Sequence, residues 1–435
     1  MTFYSHARMR SIAGDRGLGE EYLREFDVVS AVLPFRVNDY IVDHLIDWRR
    51  PREDPILNLT FPHRQMLDPE QFDLVASALG SDDRLALAQA VAKVREQLNP
   101  HPAGQQDANV PELDGIRLDG LQHKYRETLL VFPAQAQSCH AYCSYCFRWP
   151  QFTGEPQRKI RTASPDLLTA YLRAHPEVTD VLLTGGDPLL MRTHVLLPWI
   201  RAVEAADGPR PRTIRIGTKA PAYWPQRFLS DPDAGHLLDE LRRLVEAGRP
   251  VAVMAHYSHP RELETPAAQA AVRAMLRAGL TVRSQAPVVA HVNDDAAVWA
   301  ALWQRQADLG ISPYYMFVER NTGAKNYFAI PLARALDIYV GAIKRVSGLG
   351  RTARGPVMST YHGKILLNGV VRIGGDPAFV CSMMQSRDPE LVGSTFLAQY
   401  DESATWIDDL RPLPGTDWPW LGPDDRVPAL REPAS

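Results

Sequence analysis

The sequence predicts an α/β fold in which helices cover a parallel sheet. Two observations carry this prediction. Short apolar runs alternate with amphipathic stretches beyond residue 128, and each run ends in polar or glycine residues. Repeated strand–helix units imply a parallel sheet, and polar residues after the strands imply a site at the carboxyl-terminal rim of a barrel or open sheet. The predicted strands are 129–132, 181–183, 214–216, 251–254, 280–282 and 314–318.

The stretches between these strands have the periodicity of amphipathic helices. Segments 234–247 and 267–278 carry apolar residues at helical spacing, and a glycine follows each. Upstream, the same spacing over 20–48 and 82–98 predicts a helical region, and the polar, proline-containing stretch 99–111 predicts a linker. We expect a helical N-terminal region with its linker over 1–114, a β/α domain over 115–340, and a C-terminal lobe with an irregular tail over 341–435.

Composition and charge restrict the class of protein. The net charge is -3 and there is no dense basic block, so we expect neither a nucleic acid nor a membrane surface as partner, but a small molecule. No apolar stretch approaches the roughly 18 to 20 residues of a membrane span, and the N-terminus lacks a signal-peptide core. Only 4 cysteines occur, which excludes a disulfide framework. We therefore expect a soluble, cytoplasmic protein.

Three cysteines crowd into one loop after the first predicted strand. Cys139, Cys143 and Cys146 have the spacing C-x3-C-x2-C, unlike the paired C-x2-C motifs of zinc sites. Three thiolates suit an iron–sulfur cluster with one open iron. The alternative is a zinc site completed by His140 or Cys381, which would make the chain a zinc-stapled binding protein.

A second motif, Gly185-Gly186-Asp187, follows the next strand. Together the two motifs resemble the signature of radical S-adenosylmethionine (radical SAM) enzymes. The resemblance implies a partial (β/α)6 TIM-like barrel and a [4Fe-4S] cluster on the three cysteines, with SAM bound to the fourth iron. It also implies that the Gly-Gly-Asp motif binds the SAM amino group, where glycines allow close approach. An electron donor such as flavodoxin or ferredoxin would reduce the cluster, which then cleaves SAM to a 5'-deoxyadenosyl radical.

Further local matches over 115–370 resemble the lysine 2,3-aminomutase family. The family moves an α-amino group to the β-carbon of a free amino acid, with pyridoxal phosphate (PLP) as carrier, so the resemblance implies an isomerase. The matching segments are 123–125, 146–148, 214–219, 225–227, 256–260, 292–294 and 313–315.

The resemblance assigns roles to five further residues. Arg148 would bind the substrate carboxylate through its planar fork. Lys364 would be the catalytic lysine that holds PLP as an imine. Tyr125 would pack near PLP, and Lys219 and Gln285 would also contact the cofactors.

Departures from the family pattern concern PLP. An arginine expected to hold the phosphate is replaced by Thr128, and either Lys124 or Arg126 is a candidate to substitute for it. Of the family's glycine run before the lysine, only Gly363 remains. These departures keep open a PLP-independent radical SAM enzyme of the dehydrogenase or epimerase type, in which Lys364 would be an ordinary surface or salt-bridging residue.

A further departure concerns the substrate. Lysine-specific members of the family carry an aspartate where this chain has Arg320, which would repel an ammonium group and disfavours lysine, free or protein-bound. Arg320 instead suits a distal carboxylate such as that of glutamate, unless Glu319 takes the inward position and restores preference for a cation. The alternative for Arg320 is a surface ion pair with Glu319 or Asp308.

Two smaller expectations complete the sequence analysis. Cys381 stands alone in the sequence, so we expect it to be a buried small residue rather than a metal ligand. Without the C-terminal zinc cluster of some aminomutases, a homo-oligomer would need other means of assembly. His256 and His259 are candidates to line the SAM or substrate pocket.

Overall fold

A computed structural model describes residues 1–4, 6–81, 83–100, 109–155, 159–162, 164–206, 208 and 212–421. Two small antiparallel pairs are β1 (Phe3–Tyr4) with β2 (Val37–Asn38), and β3 (Glu112–Leu113) with β4 (Ile116–Arg117). The strands of the main sheet are β5 (Leu121–Tyr125), β6 (Thr128–Val131), β7 (Asp180–Leu183), β8 (Thr213–Thr218), β9 (Val251–His256), β10 (Thr281–Val288), β11 (Ser312–Val318), β12 (Arg354–Ser359), β13 (Gly363–Ile373), β14 (Asp376–Ser386) and β15 (Thr395–Gln399).

The main sheet follows chain order from β5 at one edge to β15 at the other. Strands β6 to β12 pair in parallel, whereas β5 and β13 to β15 pair antiparallel. The helices between the parallel strands are Pro165–Ala174, Thr193–Ala205, Ala234–Glu246, Pro266–Arg277, Ala296–Asp308 and Leu332–Ile343. The α/β prediction and its six strands, β6 to β11, are confirmed; β12 was missed because its apolar run is short and interrupted by proline.

The sheet curls until distant strands meet. Lys124 Nζ in β5 donates to Ser359 Oγ in β12 at 3.3 Å, although six strands separate the two in the sheet. Arg387, directly after β14, donates to the carbonyl of His123 in β5 at 3.2 Å. These contacts make the sheet a partial barrel around a central hollow, the geometry in which side chains from many strands converge.

The N-terminal helices pack into the same hydrophobic core as the barrel strands. They are His6–Asp15, Glu20–Val32, Asp39–His44, Pro55–Thr60, Pro69–Gly80 and Arg84–Gln97. Asn38 is fully buried and donates to the His140 carbonyl at 3.2 Å and the Tyr223 carbonyl at 2.9 Å. Ser144 N–H donates to the Leu59 carbonyl at 2.8 Å. The N-terminal region thus fixes the backbone of the cysteine loop.

A second hydrophobic cluster lies under β13 to β15 and includes Cys381, Phe396 and Trp418. Cys381 is fully buried there, as expected from its small apolar character. Over 412–421 the chain has no helix or strand, in line with the predicted irregular tail, whereas 422–435 and linker residues 101–108 lie outside the described residues. Within the described part of the chain, no helix combines the length and apolarity needed to cross a bilayer.

Candidate active site

The cysteine loop between β6 and β7 gathers the three predicted cluster ligands. Cys146 N–H donates to the Cys143 carbonyl at 2.9 Å, which closes a tight turn. Burial raises the pKa of all three thiols, that of Cys146 to about 12, and Cys143 raises the pKa of Cys139 and Cys146 further. Thiols with such raised pKa values form thiolates together only beside a compensating positive charge, which metal ions supply. The donor set therefore fits an iron–sulfur cluster.

The Gly-Gly-Asp motif lies directly behind this loop. Gly186 N–H donates to the Ala136 carbonyl at 2.8 Å, and Asp187 N–H donates to the Ser138 carbonyl at 2.7 Å. A Cβ atom on Gly186 would lie 2.3 Å from the Ser138 oxygen, so no other residue fits at this position. The two motifs identified separately in the sequence are thus one unit in space, and Gly185 precedes this contact with a φ of 136°.

The Asp187 carboxylate is bonded within the protein. One oxygen accepts from Thr218 Oγ1 at 2.6 Å and Leu189 N–H at 2.9 Å; the other accepts from Lys219 N–H at 2.9 Å and bonds His140 Nδ1 at 3.2 Å. Asp187 is only 2% exposed. Its carboxylate therefore ties β7, β8 and the cysteine loop together, and its contact with SAM stays a prediction.

These contacts bear on the zinc alternative. His140 is buried against Asp187, and Cys381 belongs to the separate cluster under β13 to β15. Neither proposed fourth ligand lies free beside the three cysteines. The structure therefore favours the iron–sulfur reading of the loop.

Lys219 follows β8 and points into the protein beside the cysteine loop. Its Nζ forms a buried ion pair with Glu262 Oε1 at 2.8 Å and donates to the His256 carbonyl and Ser258 Oγ, each at 3.3 Å. Nζ also lies 4.4 Å from the centre of the Tyr223 ring, whose hydroxyl is 3.9 Å from Cys143 Sγ. Lys219 is thus a structural neighbour of the cluster site, and its predicted contact with a cofactor is untested.

We expect Glu262→Gln to lower the free energy of unfolding by about 3–5 kcal/mol, because it leaves the buried Lys219 ammonium without its counter-ion. Denaturant titration of both proteins measures the difference. The exposed Glu246→Gln on helix Ala234–Glu246 is the control and should change stability by less than about 0.5 kcal/mol. A loss below about 1 kcal/mol in Glu262→Gln would show that this ion pair does not stabilise the site.

Tyr145, inside the cysteine loop, connects it to β9. Its hydroxyl bonds His256 Nε2 at 2.7 Å and Ser258 Oγ at 3.0 Å. Burial holds the pKa of His256 well below its usual range, so the imidazole is neutral. His259 Nδ1 accepts from Arg261 N–H at 3.2 Å, so His256 and His259 take part in different local hydrogen bonds. Gln285 of β10 pairs in register with His256 on one side and with β11 on the other.

Lys364 lies inside the hollow. Its Nζ donates to Gln385 Oε1 at 2.7 Å and sits 5.1 Å from the Tyr125 ring centre and 4.7 Å from that of Tyr315. Burial lowers its pKa to about 7, helped by Arg215. Lys364 thus lies inside the hollow rather than on the open surface, and its role as the PLP lysine stays a prediction. A buried amine of this kind is typical of lysines that form imines.

Gly363, the one glycine that precedes Lys364, is required by the sheet. A Cβ there would lie 2.0 Å from the Gln385 carbonyl oxygen of β14. The single remaining glycine of the family's run therefore lets β13 approach β14 closely. This close approach fixes the backbone position of the next residue, Lys364.

Lys124 shares this part of the hollow, whereas Arg126 is exposed in the turn after β5. Lys124 Nζ lies 5.6 Å from the Tyr125 ring centre and 3.3 Å from Ser359 Oγ. Burial lowers its pKa well below the usual range, and the charges of Arg320 and Lys364 lower it further. Of the two candidates to replace the missing arginine, Lys124 is the one placed beside Lys364.

Arg148 and Arg320 flank one aromatic ring. Their guanidinium carbons lie 4.8 and 4.6 Å from the centre of the Phe147 ring. Arg320 Nη2 donates to Ser359 Oγ at 3.2 Å and, among the described residues, forms no ion pair with a carboxylate. The proposed surface pairs of Arg320 with Glu319 or Asp308 are therefore wrong. Phe147 and Ser359 were not singled out from the sequence, although Phe147 lies inside a matched motif.

Comparison with known proteins gives related sequences along most of the chain. A putative L-lysine 2,3-aminomutase of Aquifex aeolicus is 31% identical over 394 residues, 91% of this chain and 92% of the relative. The L-lysine 2,3-aminomutases of Acetoanaerobium sticklandii and Bacillus subtilis are 28% and 26% identical over 59% and 67% of this chain, and over 63% and 56% of their own lengths. No model of a protein family matches the sequence. A solved radical SAM methyltransferase from Sphaerobacter thermophilus aligns with 17% identity and a TM-score of 0.37, over 55% of this chain and 68% of that one.

The cysteine loop, the glycine motif packed behind it and the curled β/α sheet define a radical SAM enzyme. This class implies a [4Fe-4S] cluster and SAM, and the three thiols fit that cluster. Within the class, the chain belongs to the lysine 2,3-aminomutase family, since the Aquifex aeolicus relative matches it at 31% identity over 91% of its length. It is thus an aminomutase-like enzyme.

Proposed function

We propose that the protein is an isomerase that moves the α-amino group of a free amino acid other than lysine to the β-carbon, with PLP held by Lys364. The observation that carries this proposal is the buried amine of Lys364, which lies between two tyrosine rings with a pKa of about 7. Phe147, directly after Cys146, has its ring centre 4.6 Å from the guanidinium carbon of Arg320, and Arg320 and Lys124 both contact Ser359. The cysteine loop, as the proposed source of the radical, would thus border the same hollow as the amine.

The bound groups would supply radical and carbonyl chemistry, namely a 5'-deoxyadenosyl radical from SAM at the cluster and an aldehyde from PLP. A one-electron donor such as flavodoxin or ferredoxin would reduce the cluster. Cys139, Cys143 and Cys146 would hold its iron. The backbone at Gly185 and Gly186 would approach SAM beside them.

The residues around Lys364 fit PLP. The amine is neutral in about half of the molecules near pH 7, so it is a nucleophile without needing another base. Lys124 and Ser359 supply a cation and a hydroxyl for a phosphate group. The Tyr125 ring lies near both lysines and offers a flat surface for a pyridine ring to stack on.

The arginine side of the hollow fits the carboxylate of an amino acid. Arg148 carries five N–H donors, and within the described residues its guanidinium has neither a hydrogen bond nor an ion pair. Its buried charge therefore calls for an anion, and a carboxylate matches its fork. Lysine is disfavoured because Lys124, Arg148 and Arg320 would all repel its ammonium group.

Anaerobic incubation with SAM, reductant and a panel of amino acids tests this function. We expect one class of amino acid to trigger formation of 5'-deoxyadenosine and to be converted to its β-amino isomer. Chromatography of the nucleoside and NMR of the product measure both. Loss of a substrate hydrogen as an alkene, or inversion at the α-carbon, would instead identify the dehydrogenase or epimerase alternative.

The pH dependence of PLP attachment is a separate expectation. The pKa of Lys364 is about 7, so its neutral fraction rises steeply between about pH 6 and 7 and levels off above about pH 8. We expect borohydride-stable attachment of PLP to the Lys364 peptide to follow this curve, measured by mass spectrometry. The peptide that contains the exposed Lys344 is the internal control and should carry little borohydride-stable PLP. A midpoint near pH 10 for Lys364 would contradict the neutral amine.

A further inference from the structure

Four basic side chains of the hollow fall into two pairs, and the members of each pair share one aromatic ring. Lys124 and Lys364 lie against Tyr125, whereas Arg148 and Arg320 lie against Phe147. None of these four side chains has a carboxylate partner among the described residues. Each pair is therefore a candidate anion site.

Ser359 marks the border between the two sites. Its hydroxyl contacts Lys124 at 3.3 Å on one side and Arg320 at 3.2 Å on the other. If the lysine pair holds PLP, as in the proposed function, the arginine pair remains for the substrate. Two guanidinium groups carry ten N–H donors, and the hydrogen bond to Ser359 uses only one of them.

One carboxylate has about four acceptor sites, too few for the nine N–H donors that remain on the two arginines. Arg148 and Arg320 lie beside the same ring; burial lowers the pKa of Arg148 to about 10, and the charge of Arg320 lowers it further. Buried like charges are expensive unless each has an anion of its own. A substrate with two carboxylates a few bonds apart supplies both from one molecule, which a neutral or cationic amino acid does not.

Glu319 does not reverse this preference. It is 8% exposed, neither carboxyl oxygen has a hydrogen-bond partner in the described structure, and the charge that acts on it is that of Lys325. Burial raises its pKa well above the usual range, which favours the uncharged form of the carboxyl group. Glu319 is therefore a poor partner for an ammonium group.

We propose that the substrate is an α-amino acid with an acidic side chain, whose second carboxylate is bound by Arg320 while Arg148 binds the α-carboxylate. This inference rests on the proposed function, and it names the substrate class for the same site. Glutamate and aspartate are the simplest members of that class. Glutamine is the matched comparison, because it has nearly the shape of glutamate without the side-chain charge.

The test measures binding apart from turnover. Calorimetric titration of the reconstituted but unreduced holoenzyme should show that an acidic amino acid binds roughly 10- to 100-fold more tightly than its amide, the range for a hydrogen-bonded charged partner. Arg320→Gln should bring this ratio close to one, and Arg320→Lys should retain part of it because it keeps the charge but loses the fork. Arg305→Gln, an exposed arginine on helix Ala296–Asp308, should leave it unchanged.

The outcomes separate this inference from the function on which it rests. Equal binding of acid and amide by the wild type, or tighter binding of lysine, overturns it even if another amino acid is isomerised. Loss of PLP from Arg320→Gln, with acid preference intact, also overturns it, because Arg320 would then belong to the phosphate site. A preference for the acid that depends on Arg320, without deoxyadenosine formation from any amino acid, supports the acidic-substrate site and contradicts the proposed isomerase function.

Discussion

Cys143→Ala is expected to abolish SAM cleavage and to reduce the iron bound after anaerobic reconstitution to near background. The thiol is one of the three predicted ligands, and the Tyr223 hydroxyl, 3.9 Å from it, is a poor replacement for a thiolate. Loss of an outer partner of a metal ligand costs about 10- to 100-fold in affinity or activity, so loss of a ligand should exceed that range. Iron and sulfide analysis, with chromatographic detection of 5'-deoxyadenosine, measures the effect.

The fourth cysteine provides the matched control for this experiment. Cys381 lies in the separate cluster under β13 to β15, so Cys381→Ala should keep full iron content and full SAM cleavage. If Cys143→Ala binds zinc but neither it nor the wild type binds sulfide, the loop is a zinc site. Equal iron content in Cys143→Ala and the wild type would show that Cys143 is not a ligand.

Lys364→Ala is expected to lower isomerisation by on the order of 10³-fold or more, the scale for loss of a nucleophilic side chain. The reason is local: Lys364 is the amine that lies between Tyr125 and Tyr315, and alanine leaves no nucleophile there. Iron content should not change, because the cysteine loop is held by the N-terminal region and by the Gly-Gly-Asp motif. Product analysis and the PLP content of the purified variant measure the two effects.

Lys344→Ala is the control, since that lysine is exposed and remote from the sheet strands. It should match the wild type in PLP content and rate. Full isomerisation by Lys364→Ala would favour a PLP-independent enzyme on the same scaffold. Retained PLP with no product would show that another amine, for which Lys124 is the nearest candidate, captures the cofactor.

Local patterns predicted the parts of this protein that depend on neighbours in sequence. The six strands β6 to β11, the helices after them and the cysteine spacing are all features of short segments, so one sequence reveals them. Helix Glu20–Val32 likewise ends before Pro34, because a proline disfavours helical backbone in the residue that precedes it. The pairing of the Gly-Gly-Asp motif with the cysteine loop followed from their positions after adjacent strands.

Contacts between distant segments were not predictable in the same way. The role of Ser359 depends on the curl that brings β12 to β5, and the internal bonds of Asp187 depend on where β8 and His140 meet it. The sequence could not decide between Lys124 and Arg126 because it does not show where strand β5 ends. In the structure, the strand places Lys124 in the hollow, and the turn that follows exposes Arg126. Spacing gives the residue types of a site, whereas the curl of the sheet decides which of them meet.

That curl also has a consequence for how the protein folds. The contact between Lys124 and Ser359 joins residues 235 positions apart, so the proposed PLP pocket is closed by one of the longest loops in the chain. Long-range closures lose the most chain entropy and form slowly. The radical-generating loop, between adjacent strands, needs far less of the chain in place. A nascent or partly refolded chain would therefore assemble its cluster site before it could retain the carrier of the amino group.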